Sequence, residues 1–580
     1  MIMLSLLVGI ASSGAVSAAS FTVDTTIDAV DASPGDGVCA TADGDCTLRA
    51  AIMEANALPG ADTIKLSAAI YTLTIPGAGE DIAAMGDLDI TDDLTISGAW
   101  RETTVIDGGG LDRAFQVADG KVVQMSDIAI TNGSVPVFGP TPTISDTYGG
   151  GILNGDGAFL TLRHVSFKGN AAAYGGAIFN GTSFTTARLD LSDGFFDENV
   201  AAFGGAILND GTTQVEDSRF LRNSGTGGAI FNARGASLRV IASSLNQNQS
   251  GQGGGILNDG DMLAENTTIG ENTAQFGGGI SNTGSLSLTD VKILGNTGGF
   301  GGGLTSDIGA VLLTRVTVAQ NVAEGNPFNS NDGGGIFLFA GTFTAIDTVI
   351  SGNRARANGG GLANGTGLAP GQSRVILMNS TVSGNAAGEA GGAIINGGGA
   401  ADSRTDFRNV TVADNSANTG GGISNSSNQI ITITNTMVAH NDAGGDCAGS
   451  INSAGHNLDS DGSCNLSGSG DLSGVDPLLG PLADNAGPTQ TQALLPGSLA
   501  VDAGDASACP DTDQRGVARP IDGNGDGVAV CDIGAFEAAA GTTLPTASPT
   551  PPATAPPSPG VTPEAGSLPA ALPRTGGRRW

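Results

Sequence analysis

Along most of this chain apolar and polar residues alternate with a period of two, in runs too short for a helix. HVSFKGN (164–170) and RVTVAQN (315–321) show the pattern, and each run closes on Asn. Such alternation predicts short strands with one face buried. The closing motif, an apolar residue followed by two variable residues and Asn, begins at 167, 196, 220, 245, 269, 293, 318, 350, 382, 412 and 438. Between its copies stands a second motif, GGAIFN at 175 and 227 with close relatives such as GGGILN at 149 and 253, which starts at 149, 175, 204, 227, 253, 277, 301, 333, 359, 391 and 420. The two alternate through eleven cycles of 23 to 32 residues. That period is the signature of a solenoid.

From each closing Asn to the next Gly pair the step is 4 to 6 residues in nine of ten cases, whereas the return limb varies more widely. One corner is therefore constrained and the rest can bulge. Helical periodicity is absent, and a propeller blade needs a longer period of roughly 40 residues. The expected fold is all-β: a right-handed parallel β-helix with one coil per cycle, stacked at about 4.8 Å. Gly and Asn tolerate positive φ and mark its corners. Recurrent Ile and Leu fill the interior. Asn154, Asn180, Asn209, Asn232, Asn258, Asn282, Asn364, Asn396 and Asn425 close the Gly motif, and Asn170 to Asn441 close the other. Both sets are read as structural, each Asn bonding its amide to the one above and below.

This alternation of GG[AG]I with FxxN resembles the repeat of the polymorphic outer membrane proteins, which implies an extracellular, adhesin-like β-helix over about half the chain. Upstream, DGVCATADGDCTLRAAIMEANALPGADTI (36–64) resembles the CSLREA domain of bacterial surface proteins, departing from the name-giving hexapeptide at Thr47, Ala50 and Ala51. Within it Leu48, Ala51, Ile52 and Ala55 share one helical face and Thr47 stands at the N-cap. A short helix capping the open end of the solenoid is expected there, followed by first strands in 64–75, 87–99 and 104–110. Residues 476–537 resemble the choice-of-anchor Q domain, which implies a surface location and brings no activity. Beyond them a Pro, Thr and Ala-rich stalk ends in LPRTGG (572–577), similar to a sortase signal of the LPxTG type. The expected divisions are a signal peptide (1–19), cap and first coils (20–145), repeat solenoid (146–441), anchor-like domain (442–537) and stalk (538–580).

Composition narrows the partners. A formal charge of −33 with lysine only at 65, 121, 168 and 292 repels a polyphosphate, so nucleic acid is excluded. The same acidity suits an exported protein, or one that collects calcium on carboxylates. MIMLSLLVGIASSGAVSAA reads as a signal peptide, with a buried N-terminal strand as the alternative, and no apolar run reaches the ~18 residues of a transmembrane segment. Six cysteines fall into local pairs, Cys39 with Cys46, Cys447 with Cys464 and Cys509 with Cys531, for which nearest-neighbour disulfides are favoured. Zinc is disfavoured: the pairs lack C-x2-C spacing and His164, His440 and His456 are scattered.

Two places could carry chemistry. In DGNGDG (522–527), Asp522, Asn524 and Asp526 with the later Asp532 could surround calcium, and NLDSDG (457–462) is similar; an Asx-rich turn beside a disulfide is the favoured reading. The second is a polar column three residues before each apolar residue of the closing motif, which reads His164, Asp193, Asp217, Ala242, Asn266, Asp290, Arg315, Asp347, Asn379, Asn409 and Asn435. Asp290, Arg315 and Asp347 alternate in sign and should support one another. His164, Asp193 and Asp217 form the best enzymatic constellation, of a kind that serves polysaccharide chemistry. Polar residues that cap turns are the competing explanation. Tryptophan occurs only at Trp100 and Trp580, so no sugar-stacking platform is expected, and no G-x-S-x-G motif marks a serine nucleophile. The leading expectation is a monomeric secreted or surface-displayed β-helix that adheres to a cell surface, glycan or protein, or is structural, with no catalysis; the alternatives are a polysaccharide lyase or hydrolase acting through His164, Asp193 and Asp217, and a layer component ordered by calcium.

Overall fold

The computed structural model describes residues 18–77, 79–135, 147–181, 186–325, 333–365, 372–397, 403–426 and 429–540. The stalk with LPRTGG and all but the last two residues of the expected signal peptide lie outside these. The described chain is a parallel β-helix. The coil from Gly253 shows its plan: strand Ile256–Asn258, a tight turn, strand Asp261–Glu265, a corner at Asn266, strand Thr268–Gly270, a corner at Glu271 and Asn272, and strand Thr273–Phe276 leading to the next Gly pair. The Gly-motif strands stack in parallel through 14 coils, from Leu88–Ile90 to Cys447–Ala448.

Like residues meet across the coils. Ile152, Ile178, Ile207, Ile230, Ile256 and Ile280 are successive register partners, and so are Phe167, Phe196 and Phe220, whose rings stack at 4.9 and 4.6 Å between centroids. Every one of these side chains is buried, in a continuous core that runs from Phe21 to Cys464. Each full burial contributes about 1.5–3 kcal/mol, set against the entropy of ordering the chain. The paired glycines serve two needs. Gly277 has φ +61°, where a Cβ would meet the Ile280 carbonyl, and a Cβ on Gly278 would lie 2.4 Å from the Gly302 carbonyl of the next coil. The first must turn and the second must leave room.

Both amide ladders are present. Asn170, Asn199, Asn223, Asn248, Asn272, Asn296, Asn321, Asn353, Asn385, Asn415 and Asn441 are buried, each Nδ2 donating to the Oδ1 of the next at 2.9–3.1 Å. Asn272 illustrates the satisfaction: its Oδ1 accepts from both the backbone N–H and Nδ2 of Asn248, while its Nδ2 donates to the Leu245 carbonyl and to Asn296. The Gly-motif ladder runs from Asn154 to Asn282, donates on to Ser306 Oγ at 3.3 Å, is interrupted by Leu338 and resumes from Asn364 to Asn425. In this second ladder each amide donates to the next Asn toward the C-terminal end, so the first Asn of each run has no amide donor behind it. Asn154 Oδ1 and Asn364 Oδ1 accordingly lack a hydrogen-bond partner among the described residues.

The two ends are closed differently. At the start, helix α1 (Leu48–Ala57) is capped by Thr47, whose Oγ1 accepts from the Ala50 N–H at 3.0 Å, and it buries Leu48, Ala51, Ile52 and Ala55 as the spacing predicts. Arg49, fully buried, pairs with Asp28 at 2.7 Å and donates to the carbonyls of Ala83, Gly86 and Asp87. At the other end Asp446 takes the next ladder position, accepting from Asn441 Nδ2 at 2.9 Å and, through its other oxygen, from Ser460. Residues 476–538 add no coil. They lie along the side of the last coils, where Asn379, Asn409 and Asn435 donate to the carbonyls of Thr512, Asp532 and Asp505 and Thr381 Oγ1 donates to Gln514. All three expected disulfides form. Among the described residues no helix is long and apolar enough to cross a membrane.

Two asparagines six positions apart should respond oppositely to substitution. Asn272→Ala strands several buried polar groups at about 1–3 kcal/mol each and should cost at least about 3 kcal/mol. Asn266→Gly, at an exposed corner with φ +50°, should change stability by less than about 1 kcal/mol. Urea unfolding of both variants checks the pair.

Candidate functional site

The polar column is a backbone feature before it is a chemical one. Between the longer and the three-residue strands, or within the ten-residue strands Phe159–Lys168 and Arg188–Asp197, one residue per coil turns the sheet with φ between +46° and +58°: Asp127, His164, Asp193, Asp217, Ala242 and so on to Asn435. This left-handed conformation favours Asp and Asn, whose short side chains bond locally. Much of the column's Asp and Asn content follows from that. The column also begins one coil earlier than the repeat motif reveals, at Asp127.

Its stretches have different fates. Arg315 clasps Asp290 with two hydrogen bonds of 2.8 and 2.7 Å, as the alternating signs predict. Asp347 is half-buried, and burial raises its carboxyl above the usual range while Asn379 and Arg315 act to lower it. Asn379, Asn409 and Asn435 are covered by the C-terminal residues. Asp290 and Arg315 are spent on one another, whereas the upstream stretch, Asp127 to Asp217, combines an imidazole with carboxylates at the surface.

There a loop from the second coil reaches over the column. Following strand Leu94–Ser97, Trp100 sets its ring 4.0 Å from that of His164, tilted by 51°, and remains 53% exposed. His164 Nδ1 lies 2.7 Å from Asp127 Oδ1. Arg101 Nη1 donates to the Asp193 carboxylate at 3.0 Å and to its carbonyl at 2.7 Å, while Arg101 Nε donates to Glu102 at 3.1 Å. Asp217 stands exposed on the next coil. Thus the structure places His164, Asp193 and Asp217 on one corner, as expected, and adds Trp100, Arg101 and Asp127, which motif spacing does not reveal. An apolar indole beside carboxylates and an imidazole can hold a ring that is apolar on one face and hydroxylated at its rim. An imidazole oriented by a carboxylate can also carry a proton at its second nitrogen.

The DGNGDG loop is built on its own turns. Asp522 accepts the N–H groups of Gly525, Asp526 and Gly527, Asn524 accepts that of Asp526, and Asp526 that of Val528. Asp532 is fully buried, accepting the N–H groups of Asp502 and Ala538. In NLDSDG, Asp459 accepts the N–H groups of Cys464 and Gly474. Among the described residues no three His, Cys, Asp or Glu side chains are grouped to hold a metal ion.

No family model and no curated protein matches this chain. Among solved structures, pectate lyase Pel9A is similar at 14% identity, covering 90% of this chain and 97% of that one with a TM-score of 0.23. The A-module of the Azotobacter vinelandii mannuronan C-5 epimerase AlgE6 is similar at 13% identity, covering 77% of this chain and 92% of that one with a TM-score of 0.22. Likenesses this distant carry no inference about activity.

Asp532 makes a pH dependence testable. Burial pushes its carboxyl up to about 7, with the Glu537 charge adding to the rise and Arg519 opposing it. The folded value lies above the unfolded one, near 3.9, so the native state holds the extra proton and stability falls as pH climbs from about 4 to about 7. The thermal midpoint should be lower at about pH 8 than at about pH 5, and the difference should shrink in Asp532→Asn. Comparing the two proteins removes the general effect of net negative charge.

Proposed function

We propose that this chain is an exported β-helical scaffold that binds an extracellular glycan at the corner formed by Trp100, His164, Asp193 and Asp217. One observation carries the reading: a half-exposed tryptophan rests on His164, and the arginine beside it pairs with the exposed Asp193 carboxylate. The ring offers a dispersion surface for sugar C–H groups, and the carboxylates accept from hydroxyls. Three disulfides suit an oxidising compartment, and the resemblances at both ends favour surface display. A charge of −33 selects for neutral or cationic glycans over acidic ones.

The hydrogen bond between His164 and Asp127 favours a second reading, in which the same corner cleaves the glycan it binds. A glycan array followed by titration of the best ligand separates the two. Trp100→Ala should weaken binding at least tenfold, about 1.4 kcal/mol; unchanged affinity would remove this corner from consideration. Release of reducing ends, lost in both His164→Ala and Asp217→Ala, would establish the enzyme instead.

A further inference from the structure

A cleft of about 470 Å³ opens on the Gly-motif face of the first coils, away from the corner column in the coil plan. Asp81, Asp89, Thr91, Gln116, Asp119 and Leu153 line it. Its volume suits a sugar ring or a small group. Asp89 is the unusual member. It is 1% exposed, its Oδ2 accepts the Ala83 N–H at 3.0 Å, and its Oδ1 has no hydrogen-bond partner among the described residues. Such an atom costs free energy unless something meets it.

The surroundings specify the sign of what is missing. Gln116 Nε2 donates to Asp81 Oδ1 at 3.2 Å, and Asp119 Oδ1 accepts the Asp156 N–H at 2.8 Å, so both carboxylates are held at the rim. Arg113, the nearby cation, is engaged by Asp87 at 2.9 Å. Burial raises the Asp89 carboxyl to about 7, and the charges of Glu80 and Asp81 push in the same direction. A cleft walled by one sign concentrates ligands of the other, and the whole molecule adds its negative field.

We propose that this cleft binds an amino sugar of a cationic polysaccharide, with the ammonium group held at Asp89 and drawn in by the rim charges of Asp81 and Asp119. The Thr91 hydroxyl and the Gln116 amide add polar partners for ring hydroxyls, and Leu153 supplies an apolar wall. A lysine side chain, polar only at its tip, would leave these unused. The site is independent of the Trp100 corner, and its ligand lies within the class that the net charge admits.

The test is calorimetric titration of the full chain with the fully deacetylated glucosamine hexamer, its N-acetylated counterpart and a lysine and glycine hexapeptide. Binding of the deacetylated hexamer should exceed both of the others at least tenfold. It should fall at least tenfold in Asp119→Asn and in Asp81→Asn, exposed sites whose loss spares the core, and further in Asp89→Asn. Asp307→Asn, which removes one exposed charge from a distant coil, and Trp100→Ala should both leave it unchanged. Equal binding of the peptide, equal loss in Asp307→Asn, or no binding of the deacetylated hexamer would each overturn the proposal. Loss in Trp100→Ala alone would overturn it too, moving the cationic ligand to the corner.

Discussion

The structure depends on side-chain amides buried where no water can replace a lost partner. Within the longer ladder an interior Asn spends both donors and its acceptor on neighbouring coils, as Asn272 does on Asn248, Leu245 and Asn296. A coil that slipped by one residue would turn its amide to the outside and leave its neighbours' polar atoms stranded. Register is therefore enforced coil by coil. The columns of Ile and Phe then align because they hang from the same strands. Length differences are confined between strands, which is why the 32-residue cycles from Gly301 and Gly359 keep the register of those beside them.

A ladder in which each amide donates to the next Asn in one direction needs unlike ends. At the C-terminal end an acceptor without donors is required, and Asp446 supplies it with one oxygen for Asn441 and the other for Ser460. Asp459 and Asp471 play the same part on adjacent edges, accepting N–H groups that a further coil would otherwise have met. These aspartates, of which Asp446 and Asp459 are buried, concentrate acidic groups at the end of the solenoid. At the N-terminal end the closure is a helix, and Arg49 satisfies three carbonyls of the following turn while Asp28 balances its charge.

The outward corner column shows how one backbone conformation can serve several ends. Its positive φ sets only a preference for small polar residues. Within that freedom the column forms an ion pair at Asp290 and Arg315, docks the C-terminal residues through Asn379, Asn409 and Asn435, and at His164 and Asp193 receives the Trp100 loop. The outward positions of the adjacent strands follow the same division. Arg219 and Lys292 are exposed, whereas Thr381, Thr411 and Met437, beneath the C-terminal residues, are buried. A change from charge to small or apolar groups along that column was a sequence signal for the covered end.

By itself the sequence determined the coil, its corners, both ladders, the capping helix and the three disulfides. The contacts that make them join residues one repeat apart or close in the chain, and such contacts leave a period or a local spacing. His164, Asp193 and Asp217 could be placed on one edge for the same reason. Tertiary structure alone decided that Trp100 rests on His164, that Asp127 orients it, that Asp89 is left unpaired in an acidic cleft, and that residues 476–538 lie beside the coils. Those contacts come from loops and from non-repeating segments, where chain separation bears no relation to distance in space. Periodicity records what stacks; it is silent about what reaches across.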